Sequence, residues 1–440
     1  MIVFSKQTDA IFANSSYFYN EDISCYALIL GSLAKNNTII NNLAKTYKVS
    51  ILMKILEQLG IKITEQDGKV LVEGKDRVFT EPTNFLDIKD SRDILYLIIG
   101  LLASYDYKVF FRADDSLSDM DIEEILSCYT NLGVKFVSRN DKYLPILMYG
   151  NKNIKQVKAT ASNILLKKPL LLTSLSLQTN NNLIEEKSLS EDYLEDMLKV
   201  FGVEFKEASI GNQDIGRNIG KTILIQTQTK IVGQQITIPS NVIFLNYIAA
   251  LAVLLPNSNI TIKSVILTNF NDYFIRFLTD ISADITIQNR HFDSGYRVAD
   301  VTIKYSQLKD IGIIVSNVKK LMQEYYLLFL IASVSGISIT IQDIDYLKQV
   351  DEINFNFMLN LLKGLGVSYT ETKQILAING KIKNYDVKID TNGITNTSLL
   401  MALGFFGLFL NKPVEISTDE IEKKYPNFLS ILQELKLNVK

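Results

Sequence analysis

The stretch Met197-Leu-Lys-Val-Phe-Gly-Val-Glu-Phe205 decides the architecture. It reads as the last turns of an amphipathic helix, a glycine suited to the left-handed cap, and an alternating strand. Near-copies are Ile55-Leu-Glu-Gln-Leu-Gly60-Ile-Lys-Ile63, Tyr129-Thr-Asn-Leu-Gly133-Val-Lys-Phe136 and Leu361-Leu-Lys-Gly-Leu-Gly366-Val-Ser-Tyr369. In Phe277-Leu-Thr-Asp-Ile-Ser-Ala283-Asp-Ile285 and Ile431-Leu-Gln-Glu-Leu-Lys-Leu437-Asn-Val439 the glycine is replaced. The unit therefore recurs six times, at intervals of roughly 70 to 80 residues, longer than ordinary solenoid periods, so each repeat should be a small subdomain.

Six apolar stretches keep the same beat: Cys25–Leu33, Ile94–Ser104, Ile164–Leu177, Val242–Leu255, Tyr325–Val334 and Ser398–Leu410. Each runs into a β-rich segment. A helix that is apolar all round belongs in a core, so each repeat should read helix, strand, amphipathic helix, glycine, strand, strand. At 440 residues the chain exceeds what one core usually supports, and the natural division is two domains of three repeats. A strand at Met1–Phe4 precedes the first repeat and should complete the sheet of the other domain, leaving no edge exposed. The second crossing should lie near Gln235–Ser240, where Pro239 interrupts the pattern. The expected domains are 18–238, inserted, and 1–17 with 239–440, discontinuous.

Lys and Arg total 46 against 48 Asp and Glu, a net charge of −2 with both signs interspersed. No basic field exists for nucleic acid or an anionic membrane. Cys25 and Cys128 lie in apolar helical stretches and read as free buried thiols, in keeping with a reducing cytoplasm. Met1-Ile-Val-Phe-Ser-Lys6 shows no secretory pattern, and the apolar runs fall short of the ~20 residues that span a bilayer.

Gly211 to Thr222 ends in Gly220-Lys221-Thr222, which invites comparison with a phosphate-binding loop. The spacing is off by one and strands flank it on both sides, so a hairpin is expected. His291 stands in a polar turn without partners at ligand spacing, and no metal or cofactor is expected. Asp114, Asp115, Asp119, Asp121, Glu123 and Glu124 read as acids opening a helix against its macrodipole.

Six such repeats, with the N-terminal strand returned to the second domain, resemble the enolpyruvyl transferases, and among them the EPSP synthase family. Lys423-Lys-Tyr-Pro-Asn-Phe428 is similar to that family's Lys-Ser-Tyr/Phe-Pro-x-Phe. Ile23-Ser-Cys-Tyr-Ala-Leu28 and Phe85 to Tyr96 fall in register with two further family stretches. The resemblance implies a two-domain inside-out α/β barrel, a monomer, and transfer of the enolpyruvyl group of phosphoenolpyruvate to shikimate 3-phosphate in the inter-domain cleft. It assigns substrate-binding roles to Lys423 and Ser162; read without it, Pro426 sets the start of the last helix and Ser162 caps a helix start.

The departures from the family pattern are charge changes. Glu21, Asp22 and Tyr26 stand where the family places lysine, serine and arginine, and Asp90-Ser-Arg92-Asp-Ile94 replaces its Asn-Ala-Gly-Thr-Thr loop, with Tyr96 at the arginine. Ser118 to Ile122 replaces Arg-x-Arg-Pro-Met; beside Ser162 stand Asn163 and Ile164. Val350-Asp-Glu-Ile-Asn354 replaces Lys-Glu-Ser-Asp-Arg, and Asn396-Thr-Ser398 replaces Asp-His-Arg. No arginine follows Arg297. The two family substrates together carry about five negative charges, which a closed cleft must neutralise with lysine and arginine. No catalytic residue is therefore assigned, and lost or altered catalysis is expected. Two alternatives stand: an active transferase drawing on Arg92, Arg112, Lys319, Lys320 and Lys348, or a binding protein for a neutral or cationic molecule, or for a protein partner, with Glu21, Asp22, Asp90, Asp351 and Glu352 in an acidic cleft.

Overall fold

The computed structural model describes residues 1–177, 182–186, 193–212, 217–225, 230–268 and 272–440. The helix-to-strand joint is the same in all six repeats. In the quoted copy the Gly202 N–H donates to Lys199 O at 3.1 Å and the Val203 N–H to Leu198 O at 2.9 Å. This pair of bonds is a Schellman cap, which satisfies carbonyls that the helix end leaves open. The bonds from Ile61 to Leu56, Val134 to Tyr129, Ala283 to Leu278, Val367 to Leu362 and Leu437 to Leu432 repeat it. Where glycine is missing, Ser282 and Lys436 still take the left-handed conformation, at φ 69° and 63°. The motif therefore overrides the steric cost that a side chain incurs there.

Each apolar stretch is a core helix: Glu21–Leu33, Arg92–Leu102, Ile164–Ser176, Val242–Leu254, Tyr325–Ser335 and Thr397–Gly407. We number these first to sixth. The chain divides into two compact units, Glu21–Ile238 and Met1–Asn20 with Pro239–Lys440. The first crossing falls after Asn20 rather than after residue 17, because the Asn20 N–H donates to Pro239 O at 2.8 Å and Tyr19 bridges to Ser240.

In the inserted unit the second and third core helices approach closely at Gly100, where an added Cβ would sit 2.5 Å from the Cα of Pro169. Three four-stranded sheets surround these helices. Strands Leu86–Lys89, Lys108–Ala113, Tyr143–Tyr149 and Lys135–Arg139 show the common order, the first pair parallel and the others antiparallel. The first sheet is completed by Gln235–Thr237, parallel to Thr38–Asn41. In the discontinuous unit the fourth, fifth and sixth core helices pack on one another. There the segment Phe12–Asn14, a strand the sequence pattern does not reveal, pairs parallel with Asn259–Ile266. Ile2–Phe4 pairs with Val414–Ile416. No described helix is long and apolar enough to cross a membrane.

Three local expectations are corrected. His291 lies exposed within the strand Asp284–Asp293, not in a turn, with Nδ1 2.7 Å from Asn289 O. Pro426 does not start the last helix, which begins at Phe428 behind Asn427 at φ 60°. Cys128 is only partly buried, unlike Cys25. The loop of the phosphate-loop comparison lies partly outside the described residues, at 213–216. The strands beside it, Phe205–Asn212 and Arg217–Ile225, pair antiparallel.

Candidate functional site

In the inserted unit the N-terminal turns of the three core helices meet around a hollow lined by Asp22, Tyr26, Lys48, Asp93, Tyr96 and Lys168, among others. Its free space is about 10 Å³, room for about one water. Helix N-termini attract anions through their open N–H groups and the macrodipole. Here the chain supplies the anions itself. Glu21 and Asp22 open the first core helix, and Asp93 lies in the first turn of the second. Between them stands Lys48, from the helix Tyr47–Gln58, with Nζ at 2.7 Å from Asp22, 3.0 Å from Asp93 and 3.7 Å from Glu21. Burial alone would lower its pKa, but Asp22 and then Asp93 hold it well above the usual lysine range. Burial also pushes the neighbouring Cys25 thiol up, which keeps it protonated and inert.

Ser162 stands exposed just ahead of the third core helix, and its hydroxyl donates to Glu124. Ser162 is not the cap of that helix. Asn163 is, accepting from Leu165 and Leu166 N–H at 2.9 and 3.1 Å while its amide donates to Glu124 at 3.2 Å. Where the family resemblance places an arginine, the ring of Tyr26 lies under Lys168 Nζ at 5.4 Å. Lys221 joins no phosphate loop either: it is a strand residue bonded to Glu195 and, at 2.8 Å, to Glu207.

In the discontinuous unit the N-terminal ends of the fourth, fifth and sixth core helices are linked in the same way. The Tyr247 hydroxyl reaches the carbonyls of Gln323 and Ser398 at 2.7 and 2.8 Å. Tyr325 and Tyr326 donate to one oxygen of Asp351 at 2.6 and 2.5 Å, and Asn354 donates to the other at 2.7 Å. Asn396 adds a bond to Tyr326 at 3.2 Å. Asp351 sits at φ −150°, ψ 38°, a kink inside the helix Ile344–Gly364. Burial and then the neighbouring hydroxyl and carboxylate push the Tyr325 phenol up, so it stays a donor. Lys423 pairs with Glu420 at 2.9 Å, and Lys424 donates to Gln323 at 2.7 Å.

Ser162 and Lys423 therefore belong to different units, each bonded to a glutamate of its own unit. Of the other cations named from the sequence, Arg112 is paired with Asp87 and Lys348 with Glu371 at 2.5 Å. Lys319 and Lys320 lie over Tyr346 and Tyr273 at 4.7 and 5.8 Å. Arg92 is exposed and carries no ion pair among the described residues. Among the acids, Glu352 is exposed, and Asp90 does not line the hollow. The acids at 114–124 form no group able to hold a metal ion among the described residues; Asp119 and Asp121 pair with Arg139 and Lys142.

Sequence reasoning missed Lys48, Asp93 and the two tyrosines. Lys48 lies 26 residues from Asp22 and 45 from Asp93, and no periodicity joins them. The pair Tyr325-Tyr326 opening an apolar helix was the one visible signal, since buried tyrosine hydroxyls need partners.

A model of the family described as EPSP synthase (3-phosphoshikimate 1-carboxyvinyltransferase) matches residues 20–432. The chain is similar to the 3-phosphoshikimate 1-carboxyvinyltransferase of Carboxydothermus hydrogenoformans, 27% identical over 94% of this chain and 95% of that protein. That of Petrotoga mobilis is 27% identical over 95% of each. Among solved structures, EPSP synthase from Acinetobacter baumannii superposes with a TM-score of 0.86 at 20% identity, covering 100% of this chain and 99% of that one. The enolpyruvyl transferase NikO from Streptomyces tendae gives 0.69 at 11%, covering 100% and 98%. These likenesses establish the α/β fold of repeated units in two domains.

Proposed function

The chain belongs to the EPSP synthase family, and from that premise we propose that it keeps the family fold while the family reaction, enolpyruvyl transfer from phosphoenolpyruvate to shikimate 3-phosphate, is lost or altered in it. The observation that carries this reading is the hollow filled by the chain's own carboxylates. Of the two lysines lining the hollow, Lys48 is matched by Asp22, Asp93 and Glu21, and Lys168 lies over the ring of Tyr26. The Ser162 hydroxyl is donated to Glu124. A phosphate oxygen placed about 4 Å from Asp22 meets a repulsion of about 4 kcal/mol at an effective dielectric of 20, less after screening at this partly exposed acid.

Titration with shikimate 3-phosphate and phosphoenolpyruvate, following heat and phosphate release, tests the proposal. The expected result is no turnover and a Kd weaker than about 1 mM. Micromolar binding with phosphate release at an ordinary enzymatic rate refutes it. The acids that repel phosphate also favour a second reading, a neutral or cationic ligand. On that reading, the neutral methyl ester of shikimate binds more tightly than shikimate 3-phosphate. A monomeric, cytoplasmic state belongs to the proposal, and sedimentation of the full chain checks its first half.

A further inference from the structure

Asn246 of the fourth core helix and Glu324, the residue ahead of the fifth, face each other inside the discontinuous unit. They are 1% and 7% exposed. Asn246 Nδ2 donates to Glu324 Oε1 at 3.0 Å. The Oδ1 of the same amide is buried and has no hydrogen-bond partner among the described residues. About nine in ten buried polar atoms in folded proteins are paired, and this contact is one donor short. An ionised carboxylate has no hydrogen to give, whereas a carboxyl group has one, aimed from its own oxygen. An acid and a primary amide can complete each other with a second, reciprocal hydrogen bond, and two neutral groups are also cheaper to bury than a charge.

We propose that Glu324 and Asn246 form a buried proton switch at the start of the fifth core helix, closed while the carboxyl holds its proton and opened when it ionises.

The groups around Glu324 fit this assignment. Burial is the main influence and raises its pKa to about 6, against smaller lowering effects from the Asn246 bond, the charge of Lys424 and nearby backbone N–H groups. Lys424 gives a hydrogen bond to the Gln323 side chain, and no ion pair joins it to Glu324 among the described residues. Tyr247, whose own phenol is pushed up by burial, directs its hydroxyl to the carbonyls of Gln323 and Ser398. Tyr326 and Tyr425 are the other titratable groups close to Tyr247. Glu324 immediately precedes Tyr325 and Tyr326, which hold Asp351 at its kink. A loosened first turn therefore loosens that network.

The sign follows from linkage. The carboxyl ionises near 4.5 when unfolded and near 6 when folded, so its stabilising proton is in place at low pH. The unfolding constant rises about 20-fold as pH climbs from 4 to 7.

The test is urea unfolding of the full-length wild type and of Glu324→Gln between pH 4 and 8, with an infrared titration of the wild type. The amide of Glu324→Gln can complete the pair but cannot ionise. The expected result is a wild type that weakens through pH 5 to 6.5, a variant without that component, and a buried-carboxyl band that fades near pH 6. Identical pH profiles for the two proteins overturn the proposal. If Glu324→Gln does not fold, the infrared titration alone decides: a carboxyl band still present at pH 8, or none present at pH 5 that fades by pH 7, overturns it.

Discussion

Replacing Lys167 with methionine should be the most damaging single change in the inserted unit. Lys167 lies on the third core helix, five residues beyond Ser162, with a side-chain exposure of 0%. Its Nζ is 3.1 Å from Glu186 and 3.1 Å from Glu195, whose side chains are 1% and 7% exposed. Glu195 also pairs with Lys221, so the cluster ties the third core helix to the strand Asn182–Glu186, the helix Tyr193–Val200 and the strand Arg217–Ile225. At an effective dielectric near 20 each contact is worth about 5 kcal/mol of Coulomb attraction, most of it offset by desolvation. Removing one partner of such a buried pair leaves the desolvation cost uncompensated, a net loss of about 3 to 5 kcal/mol. Methionine fills a similar volume, so packing contributes little to the loss. Urea unfolding followed by tyrosine fluorescence suits the assay, because the chain has no tryptophan. The double variant K167M/E186Q, with one fewer buried charge, should recover at least half of the loss. A K167M protein within about 1 kcal/mol of wild type would show that the cluster is hydrated and that the burial argument fails.

Four further outcomes are expected. Ser282→Gly should stabilise the discontinuous unit by about 0.5 to 1 kcal/mol, since serine there holds φ 69° and glycine removes that cost while loosening the unfolded chain; a denaturation midpoint that falls contradicts it. Gly100→Ala places a Cβ 2.5 Å from the Cα and carbonyl oxygen of Pro169, an overpacking cost of at least about 1 to 3 kcal/mol, read as a drop in Tm. Lys48→Met should cost about 1 to 3 kcal/mol at low salt, because Asp22 and Asp93 are about two-fifths exposed, and less in 1 M salt, which screens the acids left behind. Ser162→Ala should change stability by less than about 0.5 kcal/mol, as its exposed hydroxyl serves Glu124; a larger fall in the urea midpoint contradicts it.

The acids at the helix ends have two faces energetically. Asp22 and Asp93 stabilise the dipoles of the helices that they open, and they also anchor Lys48. In this chain the anion-seeking ends of the core helices are satisfied from within, which lowers the demand for an outside anion.

The six-part plan was readable from sequence because each piece is local. The Schellman joint spans six residues, and a helix apolar on every side can go only inside. Even the copies lacking glycine kept their left-handed residue, at Ser282 and Lys436. Local reading failed where two signals competed within a few residues: Pro426 suggested a helix start that Asn427 took, and Ser162 suggested a cap that Asn163 provides. The charge changes at Glu21, Asp22 and Asp351 were visible, but their partners were not. Lys48 meets Asp22 and Asp93, and Tyr325 meets Asp351, only because helices distant in sequence bring their ends together. Hydrogen bonding and Coulomb attraction act over a few ångströms of space, whereas periodicity and capping act along the chain. The sequence by itself therefore determined the repeat and its core, and the tertiary structure decided which charges cancel.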